Sequence, residues 1–149
     1  MTPVTLVATE GTRLCTFLVG NLLLGLPVSD VAEVVRGGGV TPVPLAPSAV
    51  LGLLNLRGQI VPVVDARRRF GLPPGVEEDE ATHIIVRRAN ELVSLRVDRA
   101  ADVVTLPEHE REEVPESVNP LIRNLLTSSY QRPRALLLVM DPDLVLLDT

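Results

Sequence analysis

The sequence predicts an all-β fold with one or two short helices. Its 13 prolines and 10 glycines are spread along all 149 residues rather than gathered in one tail. Between them lie about eight to ten short apolar segments, and turn signals recur about every eight to twelve residues, as in β-sandwiches and barrels. Only Phe17, Phe70 and Tyr130 are aromatic, so the core of this single domain has to be aliphatic.

Two hairpins are predicted, and similar sequences follow them. The first joins residues 14–19 and 22–26 across the turn signal Gly20-Asn21. The second joins residues 84–86 and 92–97, and its second strand alternates apolar and polar side chains. An acidic residue and further valines follow each hairpin, in SDVAEVV and in DRAADVV, which favours two lobes of similar construction. Further strands are predicted at residues 59–64, 101–106 and 135–140, and residues 50–54 fit either a strand or a helical turn.

Two short helices are predicted, the first of them from a change in the spacing of apolar residues. Within residues 29–36, Val31, Val34 and Val35 have the i, i+3, i+4 spacing of one helical face. Valine is a weak helix former, so docking would have to stabilise this first helix. The second helix is expected over residues 66–70, between a capping residue and a terminal glycine.

Three residues with reactive side chains have ordinary structural explanations. Asp65 precedes residues 66–70 and is expected to cap that helix. Cys15 lies in a strand pattern and is expected in the core. His83 begins a strand and is expected at the surface.

The composition argues against several classes of function. A net charge of −5 and three aromatic residues do not fit a nucleic-acid-binding surface. One cysteine and two histidines give no zinc-ligand spacing, and no GxSxG, phosphate loop or GxGxxG is present. The N-terminal residues have no signal-peptide pattern, and the longest apolar run, residues 17–28, is too short and broken to span a membrane. We therefore expect a soluble cytoplasmic binding protein without catalysis, cofactor or metal.

The order of motifs resembles one known family. Along the chain follow DVAEVVR, TPVP, VLGLLNLRGQIVPVVDARRRFGLP, IIVRRANELVSLRVD and LLLVMD. This order resembles the CheW-like proteins, the adaptors of bacterial chemotaxis arrays. The resemblance covers roughly residues 13–148 and is sharpest over 52–72, where the pattern G-x-x-N-L-R-G-x-[IV]-[VI]-P-[VI]-[VI]-D is matched throughout.

The resemblance implies a fold and a function. It implies one CheW-like domain over residues 1–149, made of two SH3-like five-stranded β-barrel lobes. These lobes would span roughly residues 13–75 and 82–149, and a strand could be exchanged near the C-terminus. The implied function is a non-enzymatic adaptor that couples methyl-accepting chemoreceptors to a CheA-type histidine kinase, held at the membrane arrays through protein contacts alone.

The resemblance also implies two binding surfaces. The receptor-binding residues would be Val31, Glu33, Val34, Asn55, Leu56, Arg57, Gly58 and Val103. The kinase-binding residues are expected in the loop around 37–44, at Gly38, Val40, Thr41 and Val43. For Arg57 two interpretations stay open and are compatible, namely contact with the partner and an intramolecular bond to the turn carbonyls or to Glu33. Glu33 itself is either a helix-capping residue or a contact residue, and at least one of the valines is expected in the core.

Two alternatives remain. Because the loop around 37–44 is unusually glycine-rich, the chain could be a divergent CheW-like accessory protein that binds receptors but not the kinase and tunes a motility pathway. A small-molecule hydrolase on a β-barrel is kept only formally, since no set of residues predicts its pocket.

Overall fold

The structure, a computed structural model, describes residues 11–75 and 80–146. The strands are β1 (Thr12–Val19), β2 (Leu22–Pro27), β3 (Val31–Arg36), β4 (Val40–Thr41), β5 (Val50–Leu56), β6 (Gln59–Asp65), β7 (Thr82–Arg88), β8 (Glu91–Val97), β9 (Arg99–Leu106), β10 (Arg111–Glu112), β11 (Leu126–Gln131) and β12 (Leu136–Met140). The α-helices are α1 (Ala66–Phe70), α2 (Pro120–Arg123) and α3 (Pro142–Val145), with 3-10 turns at Val28–Asp30 and Glu108–Glu110. The predicted all-β class with few short helices is confirmed.

The strands form two sheets of matching order. The first sheet runs β10-β11-β12-β2-β1-β9, and the second, taken from its other end, runs β4-β5-β6-β8-β7-β3. In each sheet two antiparallel hairpins meet in one parallel contact, β12 with β2 and β6 with β8. The similar motifs that follow the two predicted hairpins therefore correspond to equivalent strands, β3 and β9.

The two sheets do not divide the chain at residues 75–82, where the sequence placed the boundary between the lobes. The first sheet takes β1 and β2 together with β9 to β12, and the second takes β3 to β8. The reason is a reciprocal exchange. β3 leaves the hairpin that precedes it and pairs with β7, while β9 leaves its own preceding hairpin and pairs with β1.

Each sheet has five longer strands, the number predicted for each lobe, and one additional short strand. The additional strand is the two-residue β4 in one sheet and the two-residue β10 in the other. In the second sheet, Ala32 and Val35 of the end strand β3 pack against a cluster that includes Leu54 and Leu56 of β5.

Within residues 11–75 and 80–146, three hydrophobic clusters form the core. The central cluster takes residues from both sheets and from all three helices, among them Phe17, Leu24, Ile84, Leu95, Phe70, Ile122, Met140 and Val145. Each sheet also encloses a smaller cluster of its own. In the second sheet it is Val40, Leu54, Leu56, Val61, Val63 and Ile85, and in the first it is Leu14, Leu106, Tyr130, Leu137 and Val139.

The helix predicted over residues 29–36 is wrong, since most of this segment is strand β3. A bulge between Val31 and Glu33 explains the misleading period. Val31 pairs with Val86 and Val34 pairs with Ile84, two residues of β7 that share a face. The bulge therefore places two valines three positions apart on one face of a sheet, a spacing that otherwise indicates a helix. β-Branched side chains and antiparallel pairing with β7 on both sides of the bulge favour the strand.

His83 is fully buried, so its predicted surface position is wrong. Its Nδ1 lies 2.8 Å from the hydroxyl of Ser94 on the neighbouring strand β8. Burial, and secondarily the charge of Arg96, lowers the pKa of His83 to about 4. The imidazole is therefore neutral at physiological pH.

Asp65 does not cap α1 with its side chain as predicted. Its carboxylate is buried, with Oδ1 3.7 Å from Nη1 of Arg96 and Oδ2 3.7 Å from Nε of Arg68. The predicted helix end is correct, because Gly71 closes α1 in the left-handed conformation. Cys15 is buried as predicted, and burial raises the pKa of its thiol.

Candidate partner-binding surface

The NLRG motif forms the tight turn between β5 and β6. Arg57 and Gly58 both have positive φ, 50° and 87°, which is the signature of a type I′ hairpin turn. The side-chain Oδ1 of Asn55 accepts a hydrogen bond of 2.8 Å from the backbone N–H of Gly58. Asn55 therefore fixes the turn, and the turn directs the Arg57 side chain outward, where it is 70% exposed.

Arg57 forms a bidentate ion pair with Glu33 of β3. Its Nη1 donates to Oε1 at 3.2 Å, and its Nη2 donates to Oε2. The hydrogen bonds that Arg57 donates to the Glu33 carboxylate lower the pKa of Glu33 and raise the pKa of Arg57. The intramolecular interpretation of Arg57 is thus present in the structure, and the pair bridges the end strand β3 to the β5–β6 turn. Glu33 caps no helix.

The other predicted receptor residues divide between core and surface. Leu56 is buried in the cluster of the second sheet, and Val31 packs against the central cluster. Gly58 lies in open space at the turn. Val34 is 43% exposed and Val103 is 55% exposed, so these two valines present apolar surface.

Val34 lines an open groove between the two sheets. The groove has a volume of about 520 Å³ and lies between β3 and the start of β9, the end strands of their sheets. Its lining is Val34, Arg36, Glu80, Thr82, Asp98, Arg99 and Ala100. Val103 lies three residues further along β9, about 10 Å from Ala100. Arg99 and Ala100 were not predicted from the sequence, because only the exchange of strands brings this end of β9 next to β3.

Asp98 lines this groove and bonds to two neighbouring segments. Its Oδ1 and Oδ2 accept hydrogen bonds from Nε and Nη2 of Arg67 on α1, at 2.9 and 2.7 Å. Oδ2 also accepts from the backbone N–H of Gly20, at 2.8 Å, in the β1–β2 turn. The hydrogen bond from Arg67 is the main cause that lowers the pKa of Asp98. One carboxylate therefore joins the first hairpin, α1 and the crossover from β8 to β9.

The predicted kinase residues present little side-chain surface. Val40 is buried in the cluster of the second sheet, and Gly38 has no side chain. Thr41 is exposed and pairs with Leu53 in the short strand β4. Val43 is 38% exposed. Of the four residues, only Thr41 and Val43 extend side chains into solvent.

The described residues hold no group of three or more histidine, cysteine, aspartate or glutamate side chains arranged to bind a metal ion. No helix in the same part of the chain is long and apolar enough to cross a membrane. What the site offers is a turn with an exposed ion pair, a groove and apolar side chains at the edges of two sheets, all of which suit the binding of another protein.

Comparison with known proteins identifies the family. The model of the CheW-like domain matches residues 13–148. The chain belongs to the CheW-like family. A CheW-like relative, the chemotaxis protein CheW of Bacillus subtilis (strain 168), is 31% identical over 136 residues, which cover 91% of this chain and 87% of that protein. The chemotaxis protein CheW of Helicobacter pylori is 28% identical over 103 residues, 69% of this chain and 62% of that protein.

A solved CheW structure has the same fold. The scaffolding protein TtCheW from Thermoanaerobacter tengcongensis superposes with a TM-score of 0.78 at 26% sequence identity, covering 89% of this chain and 90% of that one. The resemblance drawn from the NLRG segment and its neighbours is therefore confirmed, and it extends over nearly the whole CheW-like chain.

Proposed function

We propose that the chain is a non-enzymatic adaptor that couples methyl-accepting chemoreceptors to a CheA-type histidine kinase, on the cytoplasmic side of a receptor array. The observation that supports this most is the exposed Glu33–Arg57 pair on the strand that also lines the inter-sheet groove, in a chain of the CheW-like family. The relatives named as chemotaxis and scaffolding proteins support the same function.

The receptor side fits the geometry of a helix in a groove. The helical tip of a chemoreceptor has an apolar stripe with polar and acidic flanks. Val34 and Ala100 would contact the stripe from the two sides of the groove. Arg57, already held by Glu33, keeps an exposed guanidinium that can donate to a carboxylate or a helix carbonyl. Apolar contacts would supply affinity, and the arginine would fix the register of the bound helix.

Calorimetric titration tests this proposal. The chain is titrated with the cytoplasmic hairpin of a cognate receptor and, separately, with the regulatory domain of the kinase. Arg57→Ala should weaken receptor binding at least tenfold, while circular dichroism shows an unchanged fold. The matched control is Arg123→Ala, an exposed arginine at the end of α2, which should bind the receptor hairpin like the wild type.

The outcomes separate the two halves of the proposal. Binding to both partners supports a coupling adaptor. Binding to neither, when a standard CheW protein binds both under the same conditions, would rule out the adaptor function. If Arg57→Ala and Arg123→Ala lose the same receptor affinity, Arg57 has no specific role in receptor binding. That result would leave the adaptor function itself unaffected.

A second candidate function has one specific observation in its favour. Because Val40 is buried and Gly38 has no side chain, the loop around 37–44 offers a kinase less surface than the sequence indicated. A divergent accessory protein that binds receptors and tunes a motility pathway would show receptor binding in the same titration and no binding to the kinase domain.

A further inference from the structure

Two arginines of the inter-sheet groove are not bonded to the described part of the chain. Arg36 is the last residue of β3 and Arg99 is the first residue of β9, so they lie on opposite walls of the groove. Both side chains are exposed. Among the described residues, neither side chain forms an ion pair or a hydrogen bond. Their guanidinium donors are therefore not used within this part of the fold.

The carboxylates that line the groove do not neutralise these two arginines. Asp98 accepts hydrogen bonds from Arg67 and from the backbone N–H of Gly20, so its charge is already balanced. Glu80 also lines the groove, is exposed and forms no ion pair with either groove arginine. The two walls therefore carry positive charges without a bonded counter-charge among the described residues, in a chain whose net charge is −5. Such charges favour an acidic partner.

Both arginines lie at the same end of the groove. Arg36 pairs with Thr82 of β7, and Thr82 pairs with Val97 of β8, two residues before Arg99. Because neighbouring strands are about 4.8 Å apart, Arg36 lies about 10 Å from Val97. The backbone thus brings the two arginines close enough for their long side chains to meet one carboxylate between them.

The apolar contact of the groove lies one helical turn away from this end. Val34 and Arg36 are two residues apart on β3, so they share a face and are separated by about 7 Å along the strand. One turn of an α-helix rises about 5.4 Å. A helix that lies along the groove with an apolar side chain on Val34 therefore presents its neighbouring turn to the arginines. Residues three or four positions from the apolar contact belong to that turn.

The arginine of the NLRG turn is less suited to a new carboxylate. Arg57 already donates from both of its terminal nitrogens to Glu33. A carboxylate of a partner would have to share that guanidinium with Glu33. Arg36 and Arg99 can bind a carboxylate in the bidentate geometry without such competition.

We propose that Arg36 and Arg99 form a clamp for an aspartate or glutamate of the receptor helix, three or four residues from the apolar side chain that contacts Val34. The clamp rests on the proposed adaptor function, which places a receptor helix in the groove. It determines which receptor sequences bind, because a helix without an acidic residue at that position leaves the two arginines unpaired.

The test is the double variant Arg36→Gln with Arg99→Gln, titrated with the receptor hairpin. At about 0.1 M salt its affinity should be at least tenfold weaker than that of the wild type. On going to about 1 M salt, where the Debye length falls from about 10 Å to about 3 Å, the wild type should lose more affinity than the variant. The unfolding temperature should not change, because neither side chain is bonded within the described residues.

The matched control is the double variant Arg13→Gln with Arg123→Gln. It changes the net charge by the same amount at two exposed arginines that do not line the groove. Its affinity for the receptor hairpin and its salt dependence should equal those of the wild type.

A charge exchange identifies the bound carboxylate. Arg99→Glu should bind the hairpin more weakly than the wild type, because it places a like charge opposite the acidic residue. It is then titrated with a set of hairpins, each with one acidic residue replaced by arginine. One member of the set should regain affinity for Arg99→Glu, and its replaced residue should lie one helical turn from an apolar residue.

The outcomes separate the clamp from the adaptor function. Wild-type affinity and salt dependence in the variant of Arg36 and Arg99 would overturn the clamp and leave the adaptor function in place. Equal losses in the two double variants would also overturn it, since net charge alone would then control binding, and so would a hairpin set in which no member restores binding. If the wild-type chain itself does not bind the hairpin, the receptor half of the adaptor function fails, and the clamp fails with it.

Discussion

Two of the arginine–carboxylate pairs in the described part of the chain have the same chemistry in opposite surroundings. Glu33–Arg57 and Asp98–Arg67 are both bidentate. In the first pair the arginine and glutamate side chains are 70% and 31% exposed, whereas in the second they are 18% and 17% exposed. Water screens the first pair and is largely kept from the second.

Their additional contacts differ as well. Asp98 also accepts from the backbone N–H of Gly20, and Arg67 also donates to the carbonyl of Pro73 at 2.9 Å. The enclosed pair therefore joins segments from distant parts of the chain, while the exposed pair leaves much of its guanidinium in solvent. An enclosed pair is costly to break, and an exposed one contributes little to stability but remains available to a partner.

The largest expected effect is on the enclosed pair. Asp98→Ala leaves Arg67 and the N–H of Gly20 without their acceptor, so the free energy of unfolding should fall by about 3 to 4 kcal/mol. Urea denaturation measures this change. Arg57→Ala, measured alongside, should have a midpoint close to that of the wild type. Equal losses in the two variants would mean that exposure does not separate the pairs.

As the pH falls, the buried His83 should lower the free energy of unfolding before the enclosed pair Asp98–Arg67 is affected. His83 has a pKa of about 4 in the folded chain and near 6.5 when unfolded. Between these values the unfolded state binds more protons, so stability falls as the pH falls, by up to roughly 3 kcal/mol. The contribution of Asp98, whose pKa is lowered, is present above about pH 3.9 and is lost only below it.

Urea midpoints measured from pH 7 to pH 4 test this order. His83→Gln should remove most of the slope between pH 6.5 and pH 4, whatever its effect on absolute stability. An unchanged slope in that variant would assign the acid response to other groups.

Reversal of the exposed pair tests what a partner recognises there. The double variant Glu33→Arg with Arg57→Glu retains an ion pair between β3 and the turn, and it should have nearly wild-type stability because solvent screens both arrangements. We expect its affinity for a receptor hairpin to be at least tenfold weaker, since the guanidinium no longer lies on the turn. Calorimetry that finds wild-type affinity would show that the pair acts only within the chain.

The strands were predictable where the period was undisturbed. Residues 93–97 alternate strictly and lie in β8, and Gly20-Asn21 marks the turn of the first hairpin. β3 was missed because its bulge imitates the spacing of a helix, and a bulge depends on the partner strand rather than on the local sequence. His83 was wrongly predicted at the surface, because both faces of β7 are covered by other elements and the local sequence does not show this.

The candidate surface was only partly predictable. The NLRG motif identified the turn, because its glycine and asparagine fit the backbone that the turn requires. The groove opposite Val34 was not predictable, because Arg99 and Ala100 come from a strand exchanged between sheets.

The smallest expected effect on stability concerns the turn itself. Asparagine adopts positive φ more readily than arginine and is common at this position of a type I′ turn. Arg57→Asn should therefore relieve backbone strain while it removes a pair that contributes little, and its unfolding temperature should equal or exceed that of the wild type. Its receptor affinity should nevertheless fall as far as that of Arg57→Ala. A variant that is at least as stable and binds less would show that the arginine is kept in an unfavourable conformation for recognition, whereas a clear loss of stability would make the exposed pair a structural element like the enclosed one.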